Sequence, residues 1–461
     1  VDRNPDKVGM VAWMSLGLLV LISIVSYLDR QVIYLLVEPI KKDLGLSDFS
    51  LGLLQGVAFG LFYAIFSIPV GWLVDRYSRR IIIYFGMTLW SISAAACGLA
   101  NGFLPLFLAR FGVGVGEASL SPSAYSIIGD LFPVRRLAMA LGIFATGSAI
   151  GSASAYMASG ALISKLESLG QVAIPGLGVF APWQVVFLMT GAPGFFLAFL
   201  VFLIPEPKRK DIAPTTGQAA AGFGKYLLAH KRYYGCHFFG YGLIAVVSYA
   251  AAAWFPTVLI RNYGLSYVET GFIMGTVGLL SGVPGFVLSG WAVDRWYARG
   301  RTDAHLRYFV AATLISAVVA LVAFGLSTSV WLAVLGYGVV HFLQPFTGPA
   351  VGHLHLATPS IYRGRTSAIF ILVFNVMGMC IGPPLVGFLT DFVFKDPQAV
   401  RLSLAVVYVV TVLLAALLFM LGLRPARRII EERLGAADHA PAAAYGAAAA
   451  QPHAATRGSA T

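Results

Sequence analysis

The chain has 461 residues; 58% are hydrophobic, 11% are charged and the mean hydropathy is +0.80. Soluble globular domains carry about 25% charged residues, so this composition excludes an ordinary soluble enzyme and calls for lipid as the solvent. The net charge of +12 sits between apolar runs, where it sets membrane topology and gives no separate case for a nucleic-acid partner.

Crossing a bilayer takes roughly 20 apolar residues in a helix. Residues 8–28, 81–109, 137–164, 233–260 and 402–423 carry no charge. Residues 308–362 contain no Asp, Glu, Lys or Arg, over a length that fits two spans with a turn near 327–330. Twelve spans are expected, beginning near residues 9, 50, 81, 103, 135, 181, 232, 267, 307, 331, 364 and 399. They predict an all-α membrane protein with twelve transmembrane helices in two pseudo-symmetric six-helix bundles, residues 1–207 and 231–424. Pro205-Glu206-Pro207-Lys208-Arg209-Lys210 stops the first bundle. The Pro-, Thr-, Gly- and Ala-rich stretch 213–224 marks 208–230 as a flexible linker. Residues 425–461 form a tail, mostly disordered, in which 427–434 has the pattern of a short amphipathic helix on the membrane surface.

Lys and Arg fix the orientation. With the N-terminus inside, 24 of the 32 fall on inside segments, six (Lys41, Lys42, Lys165, Arg261, Lys395, Arg401) fall outside, and Arg30 and Arg110 lie within spans. This positive-inside bias predicts an inner (plasma) membrane protein with both termini cytoplasmic. Cys97, Cys236 and Cys380 fall inside spans and read as packing residues. No disulfide framework, metal cluster or cofactor is expected, nor does the chain carry a nucleotide-binding loop or nucleophile elbow, which excludes the common enzyme classes.

One pattern occurs twice. Gly71-Trp72-Leu73-Val74-Asp75-Arg76 returns 219 residues later as Gly290-Trp291-Ala292-Val293-Asp294-Arg295. A duplicated bundle explains that spacing, and paired six-helix halves around a midplane cavity are a transporter architecture.

Charge inside the spans is confined to the first half: Asp29, Arg30, Arg110 and Glu117. A buried charge in a bilayer costs at least ~2.5 kcal/mol on the insertion scale, so such residues face a wet cavity and pair. Arg110, Gly114 and Glu117 share one face of the fourth span, whereas Asp29 and Arg30 point about 100° apart and cannot simply pair with each other. The four residues are candidates for proton coupling, with Asp29 the leading carrier and Glu117 the second. Arg30, Arg110 and Glu117 are also candidates to hold a substrate headgroup, since a guanidinium grips phosphate or carboxylate bidentately. At the 219-residue offset the second half offers Ser248 in place of Asp29. Its candidate cavity residues are neutral: Tyr241, Tyr249, Trp254, Phe255, His341, Gln344, Phe374 and Asn375. Aromatic rings with a few amides suit an apolar tail. Pro256 and Gly382-Pro383-Pro384 mark bends. His353 and His355 read as structural.

These residues resemble the major facilitator superfamily. Its loop pattern Gly-x-Leu-x-Asp-Arg-x-Gly-Arg-Arg is matched by Gly71, Leu73, Asp75, Arg76, Arg79 and Arg80, with Ser78 in place of a glycine. Its fourth-span pattern is matched by Arg110, Gly114, Gly116 and Ala118, and its glycine-rich fifth span loosely by Gly142, Gly147 and Gly151. Asp29-Arg30, Asp48, Gly52 and the 112–118 segment are similar to the Spinster group in a bacterial version; the Asp-Arg and Gly-x-Gly-Glu-Ala patterns also occur in similar form in organic-anion symporters. The resemblance implies that Asp75, Arg76, Arg79 and Arg80, with Asp294 and Arg295 in the second half, form cytoplasmic gates. Asp75 is then expected near the positive N-terminus of the eleventh helix, around 363–366. It also implies a proton-coupled secondary transporter, working as a monomer by alternating access on amphipathic, anionic lipid-like substrates of lysophospholipid or sphingolipid type. The partners expected are that substrate, protons and membrane lipids. The alternatives are an organic-anion or drug exporter on the same fold and, from another class, a non-transporting receptor or scaffold.

Overall fold

Backbone polar groups surrounded by lipid must bond within their own segment, which leaves an apolar span the helix as its only open-chain form. The computed structural model of the chain, which describes residues 8–176, 178–209 and 218–438, has twelve helices long and apolar enough to cross a membrane. They are α1 (Met10–Tyr34), α2 (Asp48–Arg76), α3 (Arg79–Cys97), α4 (Phe103–Leu131), α5 (Arg135–Glu167) and α6 (Pro182–Leu203), then α7 (Lys231–Tyr263), α8 (Tyr267–Tyr297), α9 (Ala304–Leu326), α10 (Val330–Ala357), α11 (Ser360–Phe394) and α12 (Pro397–Arg433). Each begins within four residues of its expected start, the largest gap being 364 against Ser360. Between α5 and α6 a two-stranded hairpin pairs Val172–Ile174 with Gly178–Phe180.

The helices are interrupted where function is expected. The α-helical turns of α1 tighten to 3₁₀ geometry at Val32–Tyr34, just after Arg30. The helix of α4 breaks between Glu117 and Leu120. That of α10 breaks between Leu343 and Thr347, where Pro345 supplies no backbone donor. Broken helices near the middle of a bundle are a transporter trait.

Two segments are more ordered than the sequence suggests. Residues 218–229 form a helix within the expected linker; Phe223 and Tyr226 pack on Tyr362, and the Tyr226 hydroxyl donates to the Ala357 carbonyl at 2.7 Å. The end of the second bundle, placed at 424 from sequence, falls inside one helix running from Val400 to Asp438. Residues 427–434 are therefore no separate surface helix. Ala426, Ile429 and Ile430 are buried, Arg427 donates to Asp303 at 2.8 Å and Arg433 to the Leu356 carbonyl at 2.5 Å. Residues 210–217 of the linker and 439–461 of the tail lie outside the described residues.

The core is shared unequally. At the face carrying the 45–47 and 264–266 turns, one continuous cluster joins both bundles: Val32, Leu51 and Tyr156 pack with Trp254, Val258 and Met274. Toward the opposite face, rich in Arg, the core divides. Leu16, Trp90 and Ile127 belong to a cluster drawn from the first bundle except for Met379 of α11, and Tyr241, Leu306 and Phe419 to a second-bundle cluster. Two helix pairs make the junction. A Cβ on Gly56 of α2 would lie 2.2 Å from the Met379 carbonyl of α11, and one on Gly271 of α8 would lie 2.3 Å from the Tyr156 carbonyl of α5. Such approach needs glycine. At the other ends of α2 and α8, Gly71 and Gly290 have open space around them. The bundles thus form a V, closed at the far face and open at the basic face.

Candidate functional site

The four charged residues of the first half converge at the α1–α4 crossing. Arg30 reaches Glu117 with both Nε (3.0 Å) and Nη2 (2.5 Å), and both bonds fall on Oε2. Ser26 donates to the same oxygen at 2.9 Å, while Oε1 has no protein partner among the described residues. Arg30 lies over the rings of Tyr27 (4.7 Å), Phe59 (4.7 Å) and Tyr63 (5.2 Å). These rings form an aromatic collar that holds the cation by its face and keeps the ion pair 8% and 1% exposed on its two residues.

Arg110 does something else. It shares a helix face with Glu117, as the spacing requires, yet its Nη1 and Nη2 donate to the Asp29 and Arg30 carbonyls at 3.2 and 3.0 Å. It is fully buried and caps α1 where its helix tightens, meeting the last carbonyls that a helix end leaves short of donors. Asp29 is then the odd member. Its carboxylate is 1% exposed and neither oxygen has a hydrogen-bond partner among the described residues. The Trp90 indole, whose Nε1 also lacks one, lies against it. An ionised carboxylate so poorly bonded in such a place is costly; the Arg110 cation beside it offsets part of that cost, and a proton would remove it.

The second half brings fewer of its expected residues to this place. Tyr249 packs against the first-bundle cluster and lies 6.4 Å from Phe374, ring to ring; Phe374 in turn stacks near Phe346 at 4.5 Å. Asn375, half-buried, is next to it on α11. Gln344 sits at the α10 break, where with His341, Tyr337 and Ser248 it lines a cavity of about 210 Å³. His341 bonds Ser281 at 2.9 Å. Three of the expected cavity residues are packed inside the second bundle in this structure. Tyr241 is fully buried among Phe309, Phe370 and Phe419, and Trp254 is buried with its Nε1 donating to the Pro383 carbonyl at 2.8 Å. Phe255 likewise stacks flat on Tyr337 at 4.5 Å. These large rings fill helix–helix space in this structure.

The duplicated loops divide in the same way. Arg79 is fully buried and clamps the first bundle to itself, bonding Glu206 (2.7 Å), the Pro207 carbonyl (2.5 Å), Ser126 and Asp130. Burial works against ionisation of Glu206, but hydrogen bonds from Ser78 and Arg79 hold its carboxyl below the usual range. The Arg80 amide also donates to Glu206. Asp75 is exposed and has no hydrogen bond or ion pair with the start of α11 among the described residues; Arg76 lies over Trp72 at 4.1 Å, and the exposed Arg295 over Trp291 at 5.7 Å, with Asp294 exposed beside it. The open basic mouth holds these ends apart.

Sequence reasoning missed the closed mouth. Arg261, at the end of α7, bonds Glu38 (2.6 Å) in the short helix Val37–Leu44 and Asp48 (2.9 Å) at the start of α2. It also donates to the Pro397 carbonyl at 2.7 Å, while Lys41 holds Asp48 from the other side at 2.6 Å. Arg261 had counted only as an outside charge. The signal available was a lone Arg ending a long charge-free run, with Glu38, Asp43 and Asp48 in the first outside segment.

Residues 19–376 match the family model described as Major Facilitator Superfamily. The chain belongs to that superfamily. It is 28% identical over 430 residues to an MFS-type efflux pump of Mycolicibacterium smegmatis, covering 91% of this chain and 95% of the relative. It is 26% identical over 407 residues to a probable L-galactonate transporter of Escherichia coli, covering 84% and 85%. Among solved structures, a bacterial homologue of the human lysosomal transporter Spinster, inward-facing and unoccupied, is 25% identical and superposes with a TM-score of 0.78 over 92% of this chain and 99% of that one. The chain is thus a multi-pass superfamily transporter with Spinster-like and sugar-acid-transporter relatives, and not an enzyme.

Proposed function

We propose that this superfamily transporter couples proton movement to the transport of an anionic amphiphile, with the basic face and both termini cytoplasmic. On that orientation the V opens inward. The observation that carries the reading is the Asp29 carboxylate, buried and without a close hydrogen-bond partner among the described residues, beside an Arg30–Glu117 pair inside an aromatic collar. Asp29 takes up the proton. Arg30 is the cation that can leave Glu117 for an anionic headgroup, and Tyr249, Phe374 and Asn375 receive the apolar part. The similarity to a Spinster homologue supports a lipid-like tail; the similarity to a sugar-acid transporter supports an anionic head without one. The collar favours the first, because a sugar acid needs many hydrogen-bonding groups and the facing surface is mostly aromatic.

Asp29→Asn keeps the shape and removes the titratable group. It is expected to abolish pH-gradient-driven uptake of lysophospholipid in proteoliposomes and to spare ligand binding in detergent. Normal, pH-coupled uptake by the variant rules out Asp29 as the carrier. Uptake of hexonates in preference to lysolipid replaces the amphiphile by a small organic anion. The orientation has its own test. Leu169→Cys, exposed on the hairpin side, should react with an impermeant thiol reagent in intact cells, and Arg299→Cys should react only after permeabilisation.

A further inference from the structure

A second basic site lies outside the central path, where α7, α9 and α12 meet at the basic face. Two adjoining concavities of about 390 and 490 Å³ share Arg232, Arg424 and Pro425. Five arginines line them, the other three being Arg307, Arg427 and Arg428. Two acids lie close by, and both are already paired: Asp303 with Arg307 and Arg427, and Glu432 with Arg428. Arg232 and Arg424 are exposed and have no carboxylate within 4.0 Å among the described residues. The floor is firm, because a Cβ on Gly422 of α12 would already lie 3.0 Å from Cys236 of α7 and 3.1 Å from Leu306 of α9.

What continues from this basic rim is apolar. Leu414, Leu417 and Leu421 recur at helical spacing on α12 and are 48%, 47% and 52% exposed, and Met420 beside them is 44% exposed. With a rise of about 1.5 Å per residue, Arg424 stands about 4.5 Å along the axis beyond Leu421. On α7 the exposed Phe239 lies two turns from Arg232. Free cations at headgroup depth above an apolar track fit one kind of molecule. We infer that this pocket binds an anionic phospholipid of the surrounding leaflet, its phosphate between Arg232 and Arg424 and an acyl chain along Leu421, Leu417 and Leu414. Basic pockets between transmembrane helices suit anionic headgroups, and the guanidinium forks match phosphate geometry. The bound lipid bridges the start of α7, where the linker enters the second bundle, to the extended end of α12.

The test uses the purified full chain in detergent and thermal unfolding. Phosphatidylglycerol should raise the Tm by a few degrees, as a ligand of the folded state does; phosphatidylcholine should not, nor should inorganic phosphate at the same concentration. R232Q/R424Q should lose the increment while keeping its own Tm in phosphatidylcholine. R424K should keep most of it and serves as the folding control. R299Q/R301Q, which removes equal charge from an exposed loop of the same face, should keep all of it. Equal increments for wild type and R232Q/R424Q, or an equal loss in R299Q/R301Q, overturn the site in favour of a diffuse surface effect. An increment from inorganic phosphate that matches the lipid overturns the acyl track.

Discussion

Arg110 and Arg30 carry the same charge on neighbouring ground and do different work, because their partners differ. Arg30 faces a carboxylate and three rings; Arg110 faces two carbonyls. Arg110→Met keeps the length of the side chain and deprives both buried carbonyls of a donor. At roughly 1–3 kcal/mol for each unsatisfied buried group, the variant should unfold several degrees below wild type in detergent. An unchanged Tm would mean that these bonds are replaced by water. The charge pairing was only partly legible in the sequence. The four intramembrane charges stood out by type, and the seven-residue spacing set Arg110 and Glu117 on one face. Which Arg takes Glu117 depends on how α1 rotates against α4, and that rotation is set by packing around Ser26 and Phe59, which no local pattern encodes. For the same reason Tyr241 and Trp254 looked like cavity residues. A large aromatic residue reads alike whether it fills helix–helix space or lines a path.

At the scale of helices, apolar length gave all twelve spans, since lipid admits no other open-chain form. The ends were less legible. A charged stretch after a proline, such as 425–434, reads as a stop, yet Ala426, Ile429 and Ile430 keep α12 packed on the second bundle past it. The glycine pairs were also silent in sequence, because a glycine in a membrane helix has several uses. The structure gives one to Gly56. Its backbone approaches α11 so closely that an added Cβ would meet the Met379 carbonyl at 2.2 Å. Backbone cannot step aside as a flexible side chain can, so Gly56→Ala should force α2 from α11 at the far face. Transport should fall sharply while the Tm changes by only about 1–3 kcal/mol equivalent, the usual cost of overpacking. Wild-type flux from this variant would mean that α2 and α11 do not need this contact to close the far mouth.

For the molecule as a whole, the V shape rests on a shared core at the far face and on polar contacts there, the Phe49 amide donating to Asp391 at 2.6 Å and an Arg261 clasp among them. Arg261 joins Glu38 and Asp48 of the first bundle to the start of α12. Its side chain is 5% exposed and that of Asp48 is fully buried. Removing one partner of a buried pair typically costs about 3–5 kcal/mol, because the other charge stays buried. Here Lys41 remains to compensate Asp48, so the lower end of that range is expected. Alternating access needs the clasp to open in the other state, where the acids can meet water. Arg261→Ala therefore penalises the far-closed state alone, and about 3 kcal/mol moves a two-state equilibrium by about two orders of magnitude. Spin labels at Lys42→Cys and Lys395→Cys across the far mouth should move apart in this background. Labels at Tyr77→Cys and Ile361→Cys across the basic mouth should draw together, since the two mouths of a rocking pair of bundles cannot both stay open. Lengthening at the far mouth with no change at the basic mouth would show local fraying of the clasp. It would leave the rigid-body link between the two ends to the glycine-packed helix pairs alone.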